Sequence, residues 1–418
     1  MNIYKTSFLS LIATIVKTLS LFIVNKFVAV VGGPVALTQL GNFQNFSAII
    51  QMFAGTMYQT ATTKFTSELS SDESRKVFIK NLLTLALIQC AFVILVLIFY
   101  VDEISFKVFN DANNDIVLLL FLLCLPFIVF CIILNSFFNG IQYIRWFIGV
   151  NIVSAITNLF LVLIFGYLWG EVGIYSAFAV YYFLVFFFVL KKIIIYIGCR
   201  SFLTPFYLDF TLLKKVLFFS LITISSILIS NITLIVIRYI ISSSTLPNNY
   251  VGYWQGVWNL SQVAMSFITI SLSTYLLPAI SKSETYFQVK KELLVSARLI
   301  IPFSFVLSIS IYILREYLVI FLFTKEFMPM TDMFFWQFSG NVVKSISWLF
   351  GFVFVSRGMV KITVFTEVLV AIFFIFTCNF FVDNGVLEAP VFAYFLTAVF
   401  HLVLMVSLFF RVMKNEFQ

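Results

Sequence analysis

"GNFQNFSAIIQ", residues 41–51, interrupts an otherwise oily stretch, and "GYWQGVWNLSQ", residues 252–262, repeats its plan. Gly41, Phe43, Gln44 and Gln51 match Gly252, Trp254, Gln255 and Gln262 at one constant offset of 211. The flanking sequence explains what kind of protein would carry an amide-bearing segment twice. Of the 418 residues 62% are hydrophobic, only 11% are charged and 55 are Phe, more apolar surface than one soluble core can hide. The chain is therefore expected to use lipid as its solvent. Its basic, apolar start resembles a signal peptide, but Lys17 interrupts the run and no small-residue cleavage site follows, so the start reads as a first membrane helix.

At about 20 apolar residues per crossing, the sequence predicts twelve transmembrane helices: 7–31, 38–66, 78–100, 116–138, 147–169, 174–195, 216–241, 251–280, 293–314, 333–356, 362–382 and 389–410. The two quoted segments are the second and eighth. With both termini in the cytoplasm, nineteen of the 26 Lys and Arg residues fall in inside loops and helix ends. Three (Lys107, Arg315, Lys325) fall outside, and four (Lys17, Lys26, Arg238, Lys344) lie within helices. That bias fixes the orientation by the positive-inside rule, and it accounts for the net charge of +8 without nucleic acid.

The longest inside connection, 196–215, falls where the offset divides the chain, giving an N-terminal lobe (1–195), a cytoplasmic linker (196–215) and a C-terminal lobe (216–418). Six is even, so both lobes enter the membrane in the same direction and are related by an axis along its normal. The expected fold is an all-α integral membrane protein with two pseudo-symmetric six-helix lobes around a central cavity.

Residues three, four or seven apart share a helix face. In the second helix this aligns Gly41, Gln44, Ala48, Gln51, Gly55, Gln59 and Thr62; in the eighth, Gly252, Gln255, Asn259, Gln262, Ser266, Thr269 and Ser273. Such stripes either glue helices together in lipid or wall a water-filled cavity. Interhelical hydrogen bonds average only about 0.6 kcal/mol, which favours the wall for stripes this long. Amides and hydroxyls beside Phe43, Trp254 and Trp258 suit sugars, which offer hydroxyls to bond and ring faces to stack.

A charge at the bilayer centre costs at least about 2.5–3.5 kcal/mol. Lys17 is too deep to reach either interface easily, and Lys344 shares a face with Gln337, Asn341 and Trp348, so these two are the strongest candidates to meet an anion. Lys26 and Arg238 lie nearer helix ends, where snorkelling and cavity lining stand as equal alternatives. Glu367 is the deepest acid, and it either pairs with Lys361 or Arg357 or serves ion coupling. His401, the lone histidine, titrates near neutrality when free but is more often packed in a helix bundle. Five scattered cysteines support neither a disulfide framework nor a zinc site, and no nucleotide loop or catalytic dyad stands out, so no cofactor, metal or catalytic residue is expected.

The stretches "VGYWQGVWNLSQVAMSFITISLSTYLLPAISK" (251–282), "KFVAVVGGPVALTQLGNFQ" (26–44) and "FTKEFMPMTDMFFWQFSGNVVKSISWLFGFVF" (323–354) resemble the Wzx-type flippases of O-antigen and enterobacterial common antigen synthesis. These belong to the multidrug/oligosaccharidyl-lipid/polysaccharide exporter superfamily. The resemblance implies two six-helix bundles in the bacterial inner membrane that alternate access, and an undecaprenyl-diphosphate-linked oligosaccharide as substrate. It also implies that basic cavity residues meet the diphosphate, positions that Lys17, Lys26, Arg238 and Lys344 suit, with Gln44, Gln51, Gln255, Asn259, Gln262 and Asn341 along the sugar path. Some relatives carry an acid where this chain has Gln262, which counts against coupling through that position. An O-antigen polymerase and a chain-length regulator would be pathway partners, though no residue pattern carries either. Two rival readings are the polymerase itself, which usually has large outer loops where 315–332 is short, and a drug/ion antiporter, which predicts deep carboxylates.

Overall fold

The computed structural model describes residues 3–69, 71–109, 114–197, 210–247, 249–281 and 283–416. In order, its α-helices are α1 (Ile3–Ala54), α2 (Gln59–Glu68), α3 (Asp72–Leu97), α4 (Val101–Phe109), α5 (Asp115–Gly140), α6 (Ile144–Ile197) and α7 (Phe210–Ser242). Then follow α8 (Tyr250–Ser271), α9 (Leu277–Ser281), α10 (Tyr286–Ile313), α11 (Arg315–Leu322), α12 (Phe334–Ser356), α13 (Val360–Asp383) and α14 (Ala389–Glu416). Among the described residues nine helical stretches are long and apolar enough to cross a membrane. α8 is not one of them, because its polar residues depress its hydropathy.

Two of the long helices are broken inside. α1 carries Gly33 at φ +60°, ψ −153°, and Pro34 follows as the first residue of the second limb, where its missing N–H costs nothing. α6 carries Gly170 at φ +60°, ψ −137°. These left-handed conformations strain any residue with a Cβ, so glycine marks both corners. At the second corner a Cβ on Gly173 would lie only 1.9 Å from the Phe165 carbonyl oxygen, which shows how tightly the chain turns.

The chain divides into two compact units, one of residues 1–32 and 39–228, the other of residues 33–38 and 229–418. In the first unit α5 is the most enclosed crossing, packed along α6, α3 and α2. In the second, α12 takes that place, against α14, α10 and α8. A buried cluster of Leu272, Leu276, Ile280, Val289, Val353 and Phe354 ties α9, α10 and α12 together. Large apolar side chains such as Phe99, Phe218, Phe321 and Phe376 remain exposed, as a surface that meets lipid requires.

Residues 198–209, the greater part of the expected linker 196–215, lie outside the described residues; α7 resumes at Phe210, and the boundary between the two units falls within α7 at Leu228. The outer loop expected at 315–332 is itself helical, with α11 followed by a 3-10 helix at Lys325–Met333. Cys90, Cys124, Cys131 and Cys378 are free and buried, and Cys199 lies outside the described residues.

Candidate functional site

In the second unit the polar residues form a network more than an open stripe. Arg238 on α7 is 2% exposed, and its Nε and Nη2 donate to Gln255 Oε1 at 3.0 and 2.7 Å. Gln255 Nε2 donates to Asn259 Oδ1 at 2.8 Å, a link that the four-residue spacing on α8 makes possible. The guanidinium also sits 5.9 Å from the Trp254 ring centroid. The Arg238 head group is thus enclosed by protein and bonded within this unit. Trp254 is fully buried and packs on Trp258, so it is core, not a stacking platform for a sugar.

One turn along, Asn341 Oδ1 accepts from Ser261 Oγ at 2.8 Å and from the Tyr394 hydroxyl at 3.0 Å, while Gln337 Nε2 donates to Ser261 Oγ at 2.9 Å. All four side chains are buried, so this part of the pattern glues α8, α12 and α14 together. Gln262, in contrast, is exposed. Lys344 is partly buried on α12, and its charge is felt by Glu367 on α13 and His401 on α14. His401 is itself packed, with Nδ1 2.7 Å from Ser347 Oγ. Glu367 lies within electrostatic reach of Lys344, and Arg357 Nη2 donates to the Ser283 carbonyl at 2.6 Å.

In the first unit the expected stripe on residues 41–62 is interrupted. Gly55 adopts φ +134°, a 3-10 turn follows at Thr56–Tyr58, and α2 restarts at Gln59 on a different phase. Gln44, Ala48 and Gln51 are half-buried, Gln59 is exposed, and Thr62 is buried with its hydroxyl on the Tyr58 carbonyl. Phe43 is core, 5.6 Å from Phe109 and 5.7 Å from Phe121 between ring centroids. Lys26 is half-buried and engaged with its surroundings.

Lys17 is placed differently. It is exposed, fourteen residues into α1, and projects into a cavity of about 490 Å³ within the first unit. Asn151, Ser154 and Asn158 from one limb of α6, and Tyr181 and Tyr182 from the other, line the same cavity, with Thr14 and Ser20 beside Lys17. Among the described residues Lys17 is the sole charged one that lines it. The sequence reading missed the α6 residues, although Asn151, Ser154 and Asn158 at i, i+3 and i+7 carry the same facing signal that was applied to the second and eighth helices.

This architecture is that of a polytopic membrane-transport fold. It matches the inward-facing conformation of a multidrug resistance MATE family transporter of the MOP superfamily at TM-score 0.82, over 96% of each chain at 15% identity. It also matches the lipid II flippase MurJ in an inward closed conformation at TM-score 0.76, over 97% of this chain and 87% of that one, again at 15% identity. At such identities the likeness shows the fold alone. The chain belongs to the polysaccharide biosynthesis protein family, whose profile matches residues 3–284. Lipid III flippases of Escherichia coli K12 and Shigella flexneri are 32% identical over 145 residues, a match that spans about a third of their length (35%) and 34% of this chain.

Proposed function

We propose that the chain is a flippase that moves an undecaprenyl-diphosphate-linked oligosaccharide, an O-antigen repeat unit, from the cytoplasmic to the periplasmic leaflet of the inner membrane by alternating access. The observation that carries this reading is Lys17: a mid-span ammonium in an amide- and hydroxyl-lined cavity with no carboxylate among its described lining residues. A diphosphate and its sugars cannot cross hydrocarbon unaided, whereas a polyprenyl tail can stay in lipid. The cavity offers the head group a cation and hydrogen-bonding partners at the depth where crossing is hardest. Family membership and the resemblance to lipid III flippases support the same class of cargo. No catalytic role is assigned to any residue.

The finer topology belongs to this proposal. Twelve spans are proposed: the nine apolar stretches, two of them divided at Gly33 and Gly170, with α8 taken as a polar crossing, a reading the glycine breaks support. They form lobes 1–195 and 216–418 joined by 196–215, with both termini in the cytoplasm. Lys17 and Lys344 are the diphosphate contacts, and Gln44, Gln51, Asn259 and Gln262 retain exposed surface for loose sugar contacts. Arg238, Gln255 and Asn341 shape the second unit from within, and Glu367 and His401, beside Lys344, are the coupling candidates. An O-antigen polymerase and a chain-length regulator act downstream.

Deletion of the gene, with lipopolysaccharide resolved on a gel and plasmid rescue, tests the cargo. Bare core that the plasmid restores to a full ladder is expected. Core bearing a single repeat would mean that export works and polymerisation has failed, and an undisturbed ladder would remove the O-antigen unit as cargo.

A further inference from the structure

The cavity in the first unit has more chemistry than a phosphate contact needs. Lys17 stands about 21 Å along α1 from Ile3, at 1.5 Å per residue. Its ammonium makes no hydrogen bond or ion pair with any described residue. Opposite it, Asn151 Oδ1 already accepts from Asn135 Nδ2 at 3.1 Å, an arrangement that turns the Asn151 NH2 group outward as a donor. Asn158, seven residues further and on the same face, holds a buried Oδ1 with no hydrogen-bond partner. Ser154 lies between them, although its hydroxyl donates to the Val150 carbonyl. The Tyr181 and Tyr182 rings, 4.3 Å apart between centroids, and those of Phe147 and Phe178 supply apolar faces. The volume of about 490 Å³ falls in the range of small-ligand sites, roughly 300–1,000 Å³.

A bare inorganic anion would use the lysine and leave the rings and the buried amide oxygen without a role. A neutral sugar would leave the lysine without one. Building on the flippase reading above, we propose that this cavity is a specificity pocket for a pyranose ring carrying one anionic group. In it Lys17 takes the charge, Asn151 and Asn158 bond ring hydroxyls as donor and acceptor, and the aromatic rings cover a sugar face. Two chemical sources fit: a phosphoryl group on the anomeric carbon, as in the carrier-linked first sugar, or the carboxylate of an acidic sugar within the repeat.

The test is cysteine protection in native membrane vesicles. Ala155, which lines the cavity, is replaced in an Ala155→Cys, Cys199→Ser variant, and its alkylation rate is measured with glucose 1-phosphate, glucuronate, glucose or inorganic phosphate. One of the two anionic sugars should slow alkylation strongly. Protection by glucose 1-phosphate identifies the carrier-linked sugar, and protection by glucuronate the acidic sugar. Lys17→Gln and Asn158→Leu should each raise the protecting concentration about tenfold, the loss of one charged or well-placed bond, while Lys17→Arg keeps most of the effect, and a monodisperse size-exclusion peak for each variant shows that it folds. Equal protection by phosphate or glucose alone, none by either anionic sugar, or an effect indifferent to Lys17 would overturn the pocket. Vesicles that still flip lipid-linked oligosaccharide without such protection would leave the flippase standing and remove only the pocket; protection without flipping would do the reverse.

Discussion

Replacing Gln255 by Leu removes the oxygen that accepts from both Nε and Nη2 of Arg238, at 3.0 and 2.7 Å, and leaves the guanidinium buried at 2% exposure. A neutral interhelical bond in a membrane is worth about 0.6 kcal/mol, too little to notice in a chain of this size. Bonds to a buried charge are worth about 1.5–3 kcal/mol each. The two share one acceptor, so their loss together should cost about 3 kcal/mol. At about 2 °C per kcal/mol this lowers the apparent melting temperature by roughly 6 °C. The assay is thermal challenge of the detergent-solubilised protein followed by fluorescence-detected size exclusion. Removing the charge as well, in Arg238→Met/Gln255→Leu, should recover part of the loss, because the buried charge that used this acceptor is then gone. A Gln255→Leu protein as stable as the wild type, or a double variant that loses the sum of the two single losses, would refute the charge-anchoring account of Gln255.

Gly252→Ala places a Cβ 2.1 Å from the Pro34 carbonyl oxygen, which is backbone and cannot swing away, so it should cost about 1–3 kcal/mol in the same assay. Gly149→Ala is the control: its Cβ meets nothing within 4 Å inside α6, and the change should stabilise by up to about 1 kcal/mol. Ser347→Ala strips the hydroxyl from buried His401 and should cost about 1–3 kcal/mol, read as a lower melting temperature. Lys344→Gln and Glu367→Gln should each destabilise, and a double-mutant cycle should return a coupling of at least about 0.5 kcal/mol; strict additivity would show that the two charges ignore one another.

Much of the helical layout was legible because burial in lipid imposes length and composition on each crossing. α8 shows the limit of that signal. Hydropathy alone passes over Tyr250–Ser271, which overlaps the eighth span that the sequence reading places at 251–280, while the repeat at Gln44 and Gln255 supports the second. The corners at Gly33 and Gly170 fall inside the two short gaps, 32–37 and 170–173, that the sequence reading leaves between successive spans, because Gly-Gly-Pro and the paired glycines of 170–173 punctuate the apolar runs. Site reading is hardest where one polar residue can serve two ends. Asn341 and Gln255 look like cavity amides in sequence, yet their oxygens are used by Ser261, Tyr394 and Arg238, and only coordinates separate a partner inside the fold from one in solution. Phe43 and Trp254, both buried, pose the same difficulty, because an aromatic ring that could stack on a sugar is equally fit to fill a core. Gly55 broke the phase of the second helix, so the face arithmetic beyond it lost its meaning. Asn151 and Asn158 escaped notice because each is isolated in a strongly apolar segment, with no second copy at the offset of 211 to draw attention to it.

The most direct measurement reconstitutes the purified protein in liposomes that hold a polyprenyl-diphosphate oligosaccharide in both leaflets, then adds a membrane-impermeant glycosidase. The account predicts that the wild-type protein exposes the inner-leaflet pool, so digestion proceeds to completion. A Lys17→Glu protein, its cavity now repelling the diphosphate, should stop at the share that faced outward at the start. Digestion that halts at that share with the wild-type protein, or goes to completion with both, would contradict it.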